Sequence, residues 1–183
     1  MPAQLSRPAT ALVEAVAQTL GVGLATASMT EIASAAGISR ATLYRSFPTR
    51  EALLRGVVAV AIDRVAQRVQ DSDLDRVDVR EGIARVARSF VVTGSAFTVL
   101  ARTNVKDAED EADFDARVAE PLRALLARGV ADGTLRDDVP VAIHFTALSA
   151  LLEMGVHLAV EGGVPAETAA ATVASLFLDG AAA

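Results

Sequence analysis

Cysteine is absent from the 183 residues, so neither a disulfide nor a thiolate metal site is available. Tryptophan is absent too, tyrosine occurs once, and aromatic residues make up only 4%. With hydrophobic residues at 52%, alanine, valine and leucine must build the core. Such a composition suits helix packed on helix. Histidine occurs twice, and no nucleophile elbow, phosphate-binding glycine loop or two-histidine metal motif is written in the chain. The sequence therefore reads as a non-enzyme, with no catalytic residues, no metal and no cofactor. No signal peptide opens it, and no apolar run is expected to reach bilayer-crossing length, so a cytoplasmic location without a membrane partner is expected.

Positive charge is also scarce. The net charge is −6, which excludes a generally basic coat for nucleic acid. Its distribution is uneven. Through Leu54 the chain has four arginines against three glutamates, a net +1, which leaves −7 for the remainder. A weakly positive head on an acidic body confines any DNA contact to one face and predicts modest non-specific binding.

What is present is concentrated between Ser28 and Leu54. Ser28-Met29-Thr30-Glu31 reads as a capping box, in which the serine oxygen and the glutamate carboxylate satisfy free N–H groups reciprocally. Met29, Ile32, Ala33 and Ala36 follow with helical spacing. Gly37 stands where the chain must turn through a left-handed conformation. Ile38 plugs the corner and Ser39 caps a second helix, about Arg40 to Phe47. Leu43 and Phe47 share its buried face. At about 100° per residue, Ala41 and Arg45 point away, Thr42 and Tyr44 flank them, and Arg40 projects from the first turn. Pro48 ends this helix and Thr49 caps the next.

Such a face fits DNA. Arginine can read guanine with two hydrogen bonds, and a small residue admits thymine methyls. Hydroxyl groups and helix N-termini hold phosphate. The predicted DNA-binding set is Ser28, Thr30, Ser39, Arg40, Ala41, Thr42, Tyr44, Arg45 and Arg50.

This stretch resembles the DNA-binding domain of the TetR family of transcriptional regulators. The resemblance rests on Ile32-Ala33, Ala36-Gly37-Ile38-Ser39, Thr42-Leu43-Tyr44, Phe47 and Arg50-Glu51-Ala52-Leu53. Arg50 stands where the family commonly has a phosphate-contacting lysine, and Ser46 where it often has histidine or another large residue. The close match covers about the first third of the chain. Beyond it, only the helical layout and the loop from Asp132 to Pro140 are similar.

The remainder reads as helices. Leu12, Val13, Val16, Ala17 and Leu20 mark a first helix, from about Pro8 to Leu20. From Glu51 a long helix carries Leu54, Val57, Val58, Ala61, Val65 and Val69, with Arg55, Asp63, Arg64 and Arg68 opposite. An acidic break, Asp71 to Asp78, precedes a helix to about Val92 that opens with a capping-box pattern, Asp78 and Glu81. A shorter helix is expected over 96–103, and an acidic loop or first helical turn over 107–115. Pro121 should kink or divide the helix that follows it to about Ala131. Two alanine-rich helices, Val141 to Glu161 and Pro165 to Leu178, close the chain.

The expected fold is all-α: a three-helix helix-turn-helix head, residues 1–54, then a larger helical effector-binding and dimerisation body, residues 55–183. Ala147, Ala150, Gly155, Ala159, Ala170 and Ala174 would let the last two helices pair in a homodimer. That dimer would present two recognition helices to a near-palindromic double-stranded operator. The resemblance further implies a repressor whose small-molecule effector fits among the body helices and moves the heads apart. The bulkier and polar candidates for such a pocket are Phe90, Phe97, Leu100, Phe114, Phe145, Met154 and His157. Two alternatives stand beside this reading. One is a dimeric DNA-binding protein without an effector. The other is a helical enzyme with a metal site around Glu153 and His157.

Overall fold

The computed structural model describes residues 12, 13, 16, 27–92, 94 and 108–182. The expected helix over 96–103 and most of the expected first helix lie outside them, although Leu12, Val13 and Val16 are helical. The chain forms two compact units, residues 1–64 with 95–113, and residues 65–94 with 114–183. The fold is all-α. Among the described residues, the β pairing is an isolated bridge between Leu135 and Ala182.

In the first unit, α1 spans Met29–Ala35 and α2 Arg40–Ser46. The long helix α3, Arg50–Asp71, begins here and supplies residues to both units. Ile32, Ala33, Leu43, Phe47, Leu53, Leu54, Val57 and Val58 are buried, as are Val13 and Val16. Burial on α3 is wider than one stripe, since Val60, Ile62 and Ala66 are also covered.

The second unit continues from the end of α3 through a 3-10 turn, Leu74–Arg76, into α4, Val79–Val92. The acidic break is thus a corner rather than a linker, because Leu74 is buried within it. Its carbonyl groups find guanidinium donors: Arg128 Nη2 donates to Leu74 O at 2.8 Å and Val77 O at 2.7 Å, and Arg85 Nη1 to Ser72 O at 3.2 Å. Asp78 caps α4 through Glu81 N–H at 2.9 Å. Glu81 does not complete a capping box as expected but pairs with Arg85 at 2.8 Å, one turn along the helix.

The separate acidic stretch over 107–115 forms a helix, α5, Ala108–Phe114, which belongs to the first unit as far as Asp113. A π segment, Asp115–Ala119, then joins it to α6, Glu120–Ala131. Pro121 explains this division. It has no N–H to donate and its ring would clash with the carbonyl four residues back. The widened turn shifts the ladder by one residue, and Glu120 N–H bonds to Asp115 O.

Helices α7, Val141–Val160, and α8, Ala166–Ala181, complete the unit. Helix α8 packs on both α4 and α7. Gly155 makes the α7–α8 approach possible: a Cβ there would lie 2.5 Å from Val173 Cγ2 and 3.1 Å from Val91 Cγ2. The turn after α6 is less polar than its sequence suggests. Leu135 is buried, and Arg136 N–H bonds to Ala181 O at 2.9 Å, tying the turn to the end of α8.

One expectation is corrected. Helix α7 is long and apolar enough to cross a membrane, and only 28% of its most apolar window is buried. His144, Glu153 and His157 interrupt the run on paper, but its Leu, Val, Ile and Ala content outweighs them. Ile143 is 57% exposed and Val160 49%. Gly155→Ala should destabilise the second unit by about 1–3 kcal/mol, the usual cost of overpacking a filled contact. Chemical denaturation of the two proteins measures this.

Candidate nucleic-acid interface

The interface is built from local bonds. Ser28 N–H donates to Glu31 Oε2 at 2.7 Å, and Glu31 N–H to Ser28 Oγ at 3.3 Å, completing the capping box of α1. At the other end, Gly37 adopts a φ of 66°, a left-handed conformation that costs glycine nothing. Ile38 N–H then reaches Ala33 O at 3.0 Å and Gly37 N–H reaches Ser34 O at 3.1 Å. This pair of bonds is a Schellman closure, which satisfies carbonyls at the helix end.

Ser39 opens α2 by accepting from Thr42 N–H at 3.1 Å, and its hydroxyl shares a 2.8 Å bond with that of Thr42. The Thr42 side chain, half-buried, is thereby fixed at the first turn. Leu43 and Phe47 face the core, leaving Arg40, Ala41, Tyr44, Arg45 and Ser46 exposed. Tyr44 is 41% exposed despite its large ring. The face opposite Leu43 therefore presents Ala41 and Arg45, with Arg40 and Tyr44 on one flank. Its chemistry suits a major groove: a low centre for close approach, guanidinia for base edges or phosphate, and a phenol for phosphate.

Arg50 is half-buried, and its Nε donates to Ala27 O at 3.2 Å. This bond joins the start of α3 to the residue before the capping box, a structural duty that sequence reasoning did not foresee. Thr49 caps α3 by accepting from Ala52 N–H at 3.1 Å. Ser28 and Thr30 are exposed at the start of α1. Of the nine residues named from sequence, eight thus lie on α1, on α2 and at their N-caps, and Arg50 opens α3.

The residues named for an effector pocket do not share one setting. Phe97 and Leu100 lie outside the described residues. Phe90 is buried on α4. Phe114, Phe145 and Met154 are half-buried, and the Arg123 guanidinium sits 4.8 Å from the Phe145 ring centre. His157 is exposed, with Nδ1 3.2 Å from Glu161 Oε2, so its carboxylate partner is Glu161 and not Glu153. The histidine passed over in the sequence, His144, is the buried one. Its Nε2 lies 3.1 Å from Arg136 O and its ring meets Phe177 edge-on. Among the described residues, no group of three or more histidine and acidic side chains is placed to hold a metal.

Comparison with known proteins agrees with this layout. Residues 11–57 match the family model described as bacterial regulatory proteins, tetR family. The chain is 29% identical over 159 residues to the HTH-type transcriptional regulator NfxB of Pseudomonas aeruginosa, covering 85% of this chain and 84% of that one. Its fold is similar to that of the TetR-like regulator LfrR from Mycobacterium smegmatis, solved with proflavine. There the TM-score is 0.79 at 23% identity, over 97% and 99% of the two chains. It is also similar to the TetR family regulator PfmR from Thermus thermophilus, with a TM-score of 0.73 at 25% identity, over 92% and 97%.

The capping box carries a pH dependence. The Ser28 N–H bond, and then the Ser28 hydroxyl bond, hold the Glu31 carboxyl below its ordinary value. A depressed folded value means stability that is present above the ordinary glutamate range and lost as pH falls through the folded one. Glu31→Gln should therefore flatten the acid-side decline of the protein's melting temperature between about pH 6 and pH 3. Thermal melts across that range check it.

Proposed function

We propose that this chain, a member of the TetR family of transcriptional regulators, binds a near-palindromic operator as a homodimer and releases it when a small molecule occupies its body. The observation that carries the DNA reading is the exposed face of α2. Arg40, Ala41, Tyr44 and Arg45 stand outward on a helix whose opposite face is anchored by Leu43 and Phe47. In a groove, Arg40 and Arg45 read base edges, while Tyr44, Thr42 and Arg50 hold phosphate and set the register. Ser28, Thr30 and Ser39 contribute phosphate contacts at the helix starts.

The homodimer reading is supported by uncovered apolar surface. On α7, Ile143, Ala147 and Ala150 fall on one face and are not buried in the protomer; on α8, Leu176 is 52% exposed. Gly155, Ala170 and Ala174, also named from sequence for that interface, are buried inside the protomer instead. Pairing through α7 and α8 places two heads on one operator, with a head over residues 1–54 and a body over 55–183, in the cytoplasm where the DNA is. The effector reading draws support from LfrR, whose structure holds proflavine. The effector favours the arrangement of the dimer that it binds more tightly, and α3 transmits that preference to the heads.

Selection of bound DNA from a random pool should return a palindrome with half-sites about one helical turn apart. Recovery of unrelated sequences would sink the reading. Tyr44→Ala or Arg50→Ala should weaken operator binding uniformly and lower the salt dependence by about one phosphate contact. Arg40→Ala or Arg45→Ala should cost about 1–3 kcal/mol and relax base preference at one position. Leu176→Arg should shift the protein towards monomer in sedimentation and reduce operator affinity with it. A dimer that persists unchanged would reject the α7–α8 interface.

A further inference from the structure

The corner between α3 and α4 encloses a groove of about 540 Å³ that none of the residues above assigned to DNA or effector lines. Its floor is apolar, made by the buried Ala66, Val69 and Leu74 with half-buried Pro121. Its rim is polar and exposed: Gln70 from α3, Asp73, Asp75 and Arg76 from the corner, and Arg117 from the π segment. The volume is on the scale of small-molecule sites, which combine an apolar lining with a few placed polar groups.

Two departures from regular backbone assemble this rim. The widened turn forced by Pro121 carries Arg117. Asp73 sits in the left-handed region, with φ 48° and ψ 45°, and its carboxylate makes no capping bond to the turn it opens. A non-glycine residue in that conformation is uncommon and points to a constraint.

The charges select the ligand class. Two guanidinia and two carboxylates stand on one rim, so a ligand of single sign meets repulsion as well as attraction. A ligand carrying both signs can use both pairs while its apolar body covers the floor. We propose that this groove binds an amphipathic zwitterion, its cationic group towards Asp73 and Asp75 and its anionic group towards Arg76 and Arg117. The inference concerns binding alone and does not depend on the regulatory reading.

The test is calorimetric titration of the full chain with N-decyl-N,N-dimethylglycine, below its micelle-forming concentration. Decanoate and decyltrimethylammonium, with the same chain length and a single sign of charge, are the controls. The zwitterion should bind one per chain, roughly fivefold or more tighter than either control, given the modest worth of exposed ion pairs. Arg76→Gln with Arg117→Gln should weaken the zwitterion and make the cation bind better than the anion. Asp73→Asn with Asp75→Asn should do the reverse, and asparagine tolerates the left-handed position of Asp73. All four side chains are exposed, and a thermal melt of each double variant checks that the fold is kept. Absence of saturation, equal binding of the three ligands, or variants that leave the charge preference unchanged would overturn the proposal. The last result would place the ligand elsewhere, on the apolar face of α7 for example.

Discussion

A seven-residue helix does not persist alone in water, because nucleation is costly and too few bonds follow it. Helices α1 and α2 both have that length. What α2 can present outward depends on holding both helices by their ends. Ser28 with Glu31, Gly37 with its two backbone bonds, Ser39 with Thr42, and Thr49 with Ala52 satisfy those ends one after another. Leu43 and Phe47 then sink one face of α2 into the core. With the orphan backbone groups satisfied, the outward side chains supply the chemistry of that surface. The exposed face of α2 is in this sense a by-product of capping.

The body solves a different problem with the same means. Its corner at residues 72–78 would strand carbonyl groups if nothing met them, and Arg128 and Arg85 reach over to do so. Because Arg128 belongs to α6, this bond also sets the distance between α6 and the corner. Small residues act at the crossings. A Cβ on Gly129 would lie 2.8 Å from both Leu135 and Val79, and one on Gly82 would lie 2.8 Å from Leu125. Helices pack closely at these crossings because glycine leaves room for the valine and leucine side chains of the neighbouring element.

How much of this could be read from sequence followed the range of the interactions. The α1–turn–α2 unit was legible almost to the residue, since its caps and left-handed turn are closed by bonds between near neighbours in the chain, the longest reaching from Ile38 to Ala33. Pro121 announced an interruption, though not that it would widen the helix into a π turn. Leu135 reads as part of a polar turn in the sequence, which does not show that its backbone bridges to Ala182, far along the chain. The groove was invisible for the same reason: residues 66–76 meet residues 117–121 only in the folded unit. The reach of α7 was understated because a histidine or glutamate breaks a run on paper but not a helix. Arg50 matched the motif, yet its bond to Ala27 shows that one guanidinium can serve the scaffold as well as the surface.

The chain has a single tyrosine and no tryptophan, and that tyrosine is Tyr44 on the outward side of α2. Emission excited at wavelengths beyond phenylalanine absorption therefore originates at one known point, within the surface read as its contact with DNA. The unmodified protein is its own site-specific optical label. Quenching or anisotropy of that phenol reports events on α2 without an added dye or an engineered residue. Signals from the body, which holds no competing tyrosine or tryptophan, cannot contaminate it.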